Sequence, residues 1–175
     1  MTQGFRIEAL SSAHNRKSFA SGVEPLDRYF RELVTQDVKR RVSNCFVALD
    51  TAGVIASYHT LAAASLPLTE LSADEKQRLP RYALLPAGII GRLAVDQKYQ
   101  GQGLGSALID AAARAARAEP AIFALIVDAK DDAAVTFYQR HGFRRFASRP
   151  ASLFLPIATA LQALSTKRTI KEKPR

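Results

Sequence analysis

Tryptophan is absent from the 175 residues, and cysteine occurs once. A lone cysteine excludes an internal disulfide, and Cys45 has no neighbouring ligands for a metal, so within the apolar run Cys45-Phe46-Val47-Ala48-Leu49 it reads as a small core hydrophobe. Long apolar runs are missing too: nothing approaches the roughly 18 uncharged residues of a spanning helix. The N-terminus also lacks the basic-then-apolar order of a signal peptide, so a soluble, cytoplasmic protein with no membrane partner is expected. No Gly-Lys-Ser/Thr occurs, which excludes a P-loop, and Gly101-Gln102-Gly103-Leu104-Gly105 is GxGxG, which does not match the GxGxxG of a dinucleotide fingerprint. With 47% hydrophobic and 23% charged residues, extensive disorder is excluded as well.

Acidic residues are scarce: 16 Asp and Glu stand against 25 Lys and Arg, a formal net charge of +9. Lys167, Arg168, Lys171, Lys173 and Arg175 against Glu172 account for +4 of it in the last nine residues, so 166–175 reads as a flexible basic tail. The other +5 lies on a body of one domain, 1–165, and includes Lys39-Arg40-Arg41, Arg81 and Arg92, a distribution suited to a polyanionic partner. Counting charges leaves open whether that partner is only a phosphorylated cofactor or also a nucleic acid.

Periodicity orders the chain as mixed α and β. Phe5, Ile7 and Ala9 alternate with charged residues as a short strand; Leu26, Phe30, Leu33 and Asp37 keep a helical register opened by Pro25. Asn44 to Leu49 and Val54 to Leu61 flank the turn Asp50-Thr51-Ala52-Gly53 as antiparallel strands. Ser72 and Glu75 have capping-box spacing for a short helix ending before Leu79-Pro80, in an insertion that reads equally as an acceptor-site wall or a surface loop. A buried strand, Ile89 to Val95, leads into the glycines and a helix with Leu104, Ala107, Leu108, Ala111 and Ala115 on one face. Ala121 to Asp128 then reads as a parallel strand after a right-handed crossover. Asp131 caps a helix from Asp132 to His141, Gly142 ends it, and Phe143 to Phe146 and Leu153 to Leu155 close the sheet.

Two segments carry chemistry. Glycines between a strand and a helix let the backbone turn sharply and present N–H groups that lack an internal acceptor, an anion cradle suited to a pyrophosphate. Gln100, Gly103 and Gly105 meet [QR]-x-x-G-x-[GA], and Ala134 to Phe143 meets A-x-x-[FY]-Y-x-x-x-G-F with Tyr138 at its centre. On these two motifs the chain resembles the GNAT N-acetyltransferases. Further likeness runs from Phe19-Ala20-Ser21-Gly22 through Leu26-Asp27-Arg28-Tyr29, Leu79-Pro80-Arg81-Tyr82 and Gly91-Arg92-Leu93-Ala94-Val95-Asp96 to Ser152-Leu153-Phe154-Leu155-Pro156. It points to the branch that serves as toxins of toxin–antitoxin pairs, acetylating the α-amine of aminoacyl-tRNA.

The resemblance implies an α/β (α+β) GNAT fold: a mixed central sheet with antiparallel N-terminal strands, a splayed parallel strand pair and flanking helices. It implies acetyl-CoA as cofactor, held by Leu93, Ala94 and Val95 of the bulged strand, by Gln100, Gly101, Gln102, Gly103, Leu104, Gly105 and Ser106, and by Asp131 and Phe137. Backbone N–H groups near Leu93 and Val95 would polarise the thioester carbonyl, and Tyr138 would protonate the leaving sulfur. Lys39, Arg40, Arg81 and Arg92 are candidate contacts to tRNA phosphates, and no metal is implied. The implied partners are aminoacyl-tRNA, a ribbon–helix–helix antitoxin and a second copy of the chain.

Three departures from the family pattern matter. Asp131 stands where many acetyltransferases have Asn, and Ser21 where relatives often carry Cys. No carboxylate occurs in Gly88 to Val95, where many relatives carry a Glu base. The last fits an amine less basic than a lysine ammonium, whose reference pKa is about 10.4. On the residues alone, acetyl transfer to a small amine or protein amino group stays open, as does a non-catalytic coenzyme A or RNA binding module. His59 reads as a core or sheet-face histidine, and His14 and His141 carry no partner pattern.

Overall fold

The computed structural model describes residues 4–103, 105–117 (backbone only for 105–110) and 120–163. In chain order the elements are β1 (Arg6–Ala9), α1 (Glu24–Arg28), a π-helical turn (Tyr29–Leu33), α2 (Val34–Lys39), β2 (Asn44–Leu49) and β3 (Ile55–Pro67). A short α3 (Ala73–Gln77) follows, then β4 (Leu84–Val95), α4 (Gly105–Arg117), β5 (Ala124–Asp128), α5 (Asp132–Arg140), β6 (Arg144–Arg145) and β7 (Ser152–Pro156). The seven strands lie in the order β1-β2-β3-β4-β5-β7-β6. β1 with β2, β2 with β3, β5 with β7 and β6 with β7 are antiparallel. The one parallel pair is β4 with β5, joined by α4, as a strand–helix–strand crossover requires. The expected tail 166–175 lies outside the described residues.

Two compact units divide the chain, and β3 and β4 contribute residues to both. The first holds residues up to Ala62 and Ile90–Ala111. Its core is aromatic: Phe30 and Tyr58, both fully buried, stack at 4.1 Å with 3° between planes, and Phe19 meets each edge-on. Burying a Phe side chain contributes about 1.5–3 kcal/mol, and Phe30→Ala would cost about 3–5 kcal/mol. Cys45 is 3% exposed among these groups, and burial pushes its thiol up to about 12. The helical register from Leu26 to Asp37 is real but widens between Tyr29 and Leu33 into the π turn, whose Tyr29 and Phe30 point into the core. A periodicity of 3.6 does not foresee that extra residue.

The second unit holds Ala63–Ile89 and the chain from Ala112 on. Leu66, Leu85, Ala124, Ile126 and Phe154 pack in its core. Ser72 and Glu75 form the full capping box at the start of α3: the Glu75 N–H donates to Ser72 Oγ, and Glu75 Oε2 accepts the Ser72 N–H at 3.0 Å. Glu75 also pairs with Arg144, whose guanidinium lies 4.8 Å from the Phe154 ring centroid, so the insertion is tied to the β6–β7 hairpin. Both strands bordering the insertion are longer than expected, β3 running to Pro67 and β4 starting at Leu84. β5 starts at Ala124, three residues later than expected.

Candidate active site

The loop after β4 is anchored before it reaches its glycines. Asp96, 5% exposed, accepts the Ala20 N–H at 3.0 Å on one carboxylate oxygen and the Lys98 N–H at 3.0 Å on the other. Gln97 N–H donates to Ala20 O at 2.9 Å. Gln100 donates its side-chain amide to Ser21 O at 2.8 Å and Val95 O at 3.0 Å. Ser21 is fixed in turn: its N–H and its hydroxyl both donate to the buried Asp27, at 2.9 and 2.6 Å. Thus the Gln100 side chain, expected to touch cofactor, is committed to the chain's own carbonyls. It shapes the loop.

Beyond Gln100 the backbone turns left-handed at Gly101 (φ 78°) and Gly103 (φ 101°), where side chains other than glycine are strained. A Cβ built on either residue meets nothing within 4 Å, so these glycines are needed for conformation and their open side is free for a ligand. Next begins α4, with thirteen residues, whose first N–H groups lack intrahelical acceptors. Fixed flanks, open glycines and a helix start fit a pyrophosphate-bearing cofactor such as acetyl-CoA. Leu104, and the side chain of Ser106, lie outside the described residues.

In β4 the Arg92 N–H donates to the side-chain oxygen of Thr60 at 3.0 Å, a local irregularity of the kind a bulge produces. A Cβ on the neighbouring Gly91 would stand 3.1 Å from the same oxygen. The side chains of Ala94 and Val95 are buried, Leu93 is half-buried and Arg92 is exposed. The Arg92 guanidinium lies 3.5 Å over the ring of Tyr29, whose hydroxyl donates to Asp37 at 2.8 Å. Thr60 belongs to no motif, and Tyr29 enters the sequence reading only within the segment Leu26-Asp27-Arg28-Tyr29; a Thr in a strand or a Tyr in a helix carries no signal of such a contact.

Helix α5 is built as its sequence indicates. Asp131 Oδ1 accepts the Ala134 N–H at 2.7 Å, and Gly142 (φ 89°) ends the helix, its N–H donating to Gln139 O at 3.1 Å. One oxygen of Asp131 is therefore a helix cap. Tyr138 is partly buried, edge-on to Phe137 at 5.2 Å and to Phe143 at 5.4 Å. Burial raises its phenol above the ordinary 10.0, so the hydroxyl stays protonated at neutral pH. No described residue hydrogen-bonds that hydroxyl, which leaves its proton available.

The structure places Leu93 to Gly105 in the first unit together with Lys39, Arg40 and Arg92, and Arg81, Asp131, Phe137 and Tyr138 in the second. Lys39, Arg40 and Arg81 are exposed. His59 is a sheet-face histidine, 2% exposed and stacked on Phe46 at 5.3 Å. His14 is held by Ser11 and Glu8, and His141 by Phe137 O. Among the described residues no group of His, Cys, Asp or Glu is placed to hold a metal ion, and no helix is long and apolar enough to cross a membrane.

Residues 41–145 match the family model described as an acetyltransferase (GNAT) domain. The tRNA-acetylating toxin of Mycobacterium tuberculosis is 33% identical over 149 residues, covering 83% of this chain and 88% of the relative. Among solved structures, AtaT complexed with acetyl-methionyl-tRNAfMet superposes with a TM-score of 0.80 at 24% identity, covering 92% of this chain and 99% of that one. A mutant AtaT toxin bound to the C-terminus of the antitoxin AtaR and acetyl-CoA gives 0.74 at 21% identity, with 93% and 99% covered. At these identities the structural likeness is one of fold.

Proposed function

The chain belongs to the GNAT acetyltransferase family, whose members transfer acetyl from acetyl-CoA to an amine, and from that premise we propose that its acceptor is the α-amine of the amino acid on charged tRNA. The observation that carries this reading is the likeness, over most of the chain, to a tRNA-acetylating toxin. Acetylating that amine blocks translation, so the protein acts as the toxin of a toxin–antitoxin pair, and its partner is a small ribbon–helix–helix antitoxin. The basic body, +9 in total with the tail included, suits a polyanionic acceptor.

Acetyl-CoA supplies the acetyl group as a thioester. Gly101, Gly103 and the first N–H groups of α4 hold its pyrophosphate, and backbone N–H groups of Leu93 and Val95 polarise the carbonyl. Tyr138 donates its proton to the departing sulfur as the C–S bond breaks and the N–C bond forms. The acceptor amine loses its own proton to water, and the phenolate regains one from solvent. No carboxylate base occurs between Gly88 and Val95, consistent with an amine already partly deprotonated at neutral pH.

The test is transfer of labelled acetyl from acetyl-CoA to a pool of charged tRNAs, comparing wild type with Tyr138→Phe. Label on the aminoacyl group, reduced ~10²-fold or more in the variant while acetyl-CoA binding persists, is expected. Acetyl-CoA binding without label on any charged tRNA would overturn the acceptor; a fully active Tyr138→Phe would overturn the acid.

A further inference from the structure

The Tyr138 hydroxyl has no hydrogen-bond partner among the described residues, so the phenol is aimed only by what its ring packs on. Two rings do this, Phe137 at 5.2 Å and Phe143 at 5.4 Å, both edge-on. Phe137 belongs to the same helix and moves with Tyr138. Phe143 lies outside the helix, beyond Gly142; it is 2% exposed, and its N–H donates to Tyr138 O at 3.1 Å. The direction of the phenol therefore depends on where the chain holds Phe143.

The strand that follows Phe143 is slight. β6 is Arg144 and Arg145 alone, at the edge of the sheet with β7 as its one neighbour. Strands usually run to roughly 3–10 residues, so a ladder this short fixes its end weakly and side chains have to add to it. Arg144 does so twice. It stands opposite Phe154 with its guanidinium 4.8 Å from that ring's centroid, and it pairs with Glu75 of α3. Glu75 is itself fixed: its Oε2 accepts the Ser72 N–H at 3.0 Å and the Ser72 hydroxyl at 2.9 Å, which leaves Oε1 for Arg144. Farther along the same hairpin Glu70 accepts the Ser148 N–H at 3.0 Å and the Ser148 hydroxyl. The insertion thus braces both the strand and the loop of the hairpin, and all of these residues lie in the second unit with Tyr138.

We propose that Glu75 is a positioning residue for the proton donor: through Arg144 it holds Phe143 against the Tyr138 ring and so aims the phenol at the departing sulfur. This rests on the acid role given to Tyr138 above. It gives the insertion a part in catalysis without any contact to substrate. With side chains 47% and 29% exposed, the Arg144–Glu75 pair adds little to global stability. A reacting group that is slightly misplaced loses rate all the same, so the effect falls on kcat.

The experiment is a double-mutant cycle of Glu75→Gln and Tyr138→Phe. It is read by kcat and KM with charged tRNA, and by the Tyr138 ring resonance in the NMR spectrum of the chain alone, assigned by its absence from Tyr138→Phe. A Gln still accepts the Ser72 N–H, so α3 keeps its cap and only the charge facing Arg144 is removed. Glu75→Gln is expected to lower kcat about tenfold, with KM for acetyl-CoA unmoved, and to shift the Tyr138 resonance. Arg144→Gln should do the same, and Arg144→Lys, which keeps the charge, should recover most of the rate. In the Tyr138→Phe background there is no phenol to aim, and Glu75→Gln should cost nothing more. An equal loss in both backgrounds overturns the proposal. So does an unmoved Tyr138 resonance in Glu75→Gln, whatever the acceptor. A Tyr138→Phe with wild-type kcat overturns the acid reading and this proposal with it, whereas a slow Tyr138→Phe with additive losses overturns this proposal alone.

Discussion

Thr60 and Arg92, 32 residues apart, are joined by a 3.0 Å bond from the Arg92 backbone N–H to the Thr60 hydroxyl. Thr60 is 1% exposed, and its hydroxyl is what satisfies a strand N–H just ahead of Leu93 and Val95. Thr60→Val keeps the shape and removes the acceptor, leaving a donor unsatisfied at a cost of about 1–3 kcal/mol. Urea unfolding should show the loss, and kcat should fall because the Leu93 and Val95 N–H groups, which we propose polarise the thioester carbonyl, would shift. An unchanged unfolding midpoint would remove Thr60 from this account.

Gln100 offers its amide to two carbonyls, those of Ser21 and Val95. In Gln100→Glu a carboxylate faces both oxygens with nothing to donate. The loop then loses its shape ahead of Gly101 and Gly103, and KM for acetyl-CoA should rise about tenfold or more, the loss of interactions worth about 1.4 kcal/mol or more. Titration calorimetry with coenzyme A reads this directly; wild-type affinity in the variant would show that the glycines hold their conformation unaided.

The pH profile follows from burial of Tyr138. Its phenol is raised above 10.0, so the acid form persists through the neutral range and is lost only at higher pH. On the acidic side the rate rises as the acceptor amine deprotonates, below the reference α-amino range of about 7.7–8.0. The rate constant kcat/KM should climb to a plateau with no fall before about pH 10. A decline beginning near neutrality would assign the acid to another group.

Glu70 accepts the Ser148 N–H at 3.0 Å and the Ser148 hydroxyl, and these bonds hold its carboxyl below the ordinary 4.5. A depressed carboxylate adds stability that is fully present above its unfolded value and is lost as the pH falls through its folded one. Glu70→Gln should therefore be less stable than wild type at pH 7, and the gap should close at pH values below 4.5. Urea midpoints at neutral and acidic pH test it; a gap independent of pH would mean that packing, and not charge, is what Glu70 contributes.

Local chemistry was the part of this molecule most legible in the sequence. The capping box of Ser72 and Glu75, the Asp131 cap, the left-handed Gly142 and the hairpin at Asp50 to Gly53 each depend on residues a few positions apart, and each is in the structure. The glycine loop was legible for the same reason. What sequence reading did not supply lies in contacts across long separations: Gln100 reaching Ser21, 79 residues away, and Arg92 lying on Tyr29. A Gln in a cofactor motif reads as a ligand contact until the carbonyls that capture its amide are known. The ends of the insertion are not legible locally either, because Leu66 and Leu85, which lie in the lengthened parts of β3 and β4, are buried in the second unit's core, which no local pattern displays.

Cys45 bears on how all of these rates can be followed. Its thiol, 3% exposed and raised to about 12, holds thiolate on the order of one part in ten thousand at pH 8. Each turnover releases a free coenzyme A thiol, and the enzyme's only cysteine is silent toward a disulfide chromogen. Colour is then a count of acetyl groups moved, read continuously and with no background from the protein, in the wild-type chain and in every variant above.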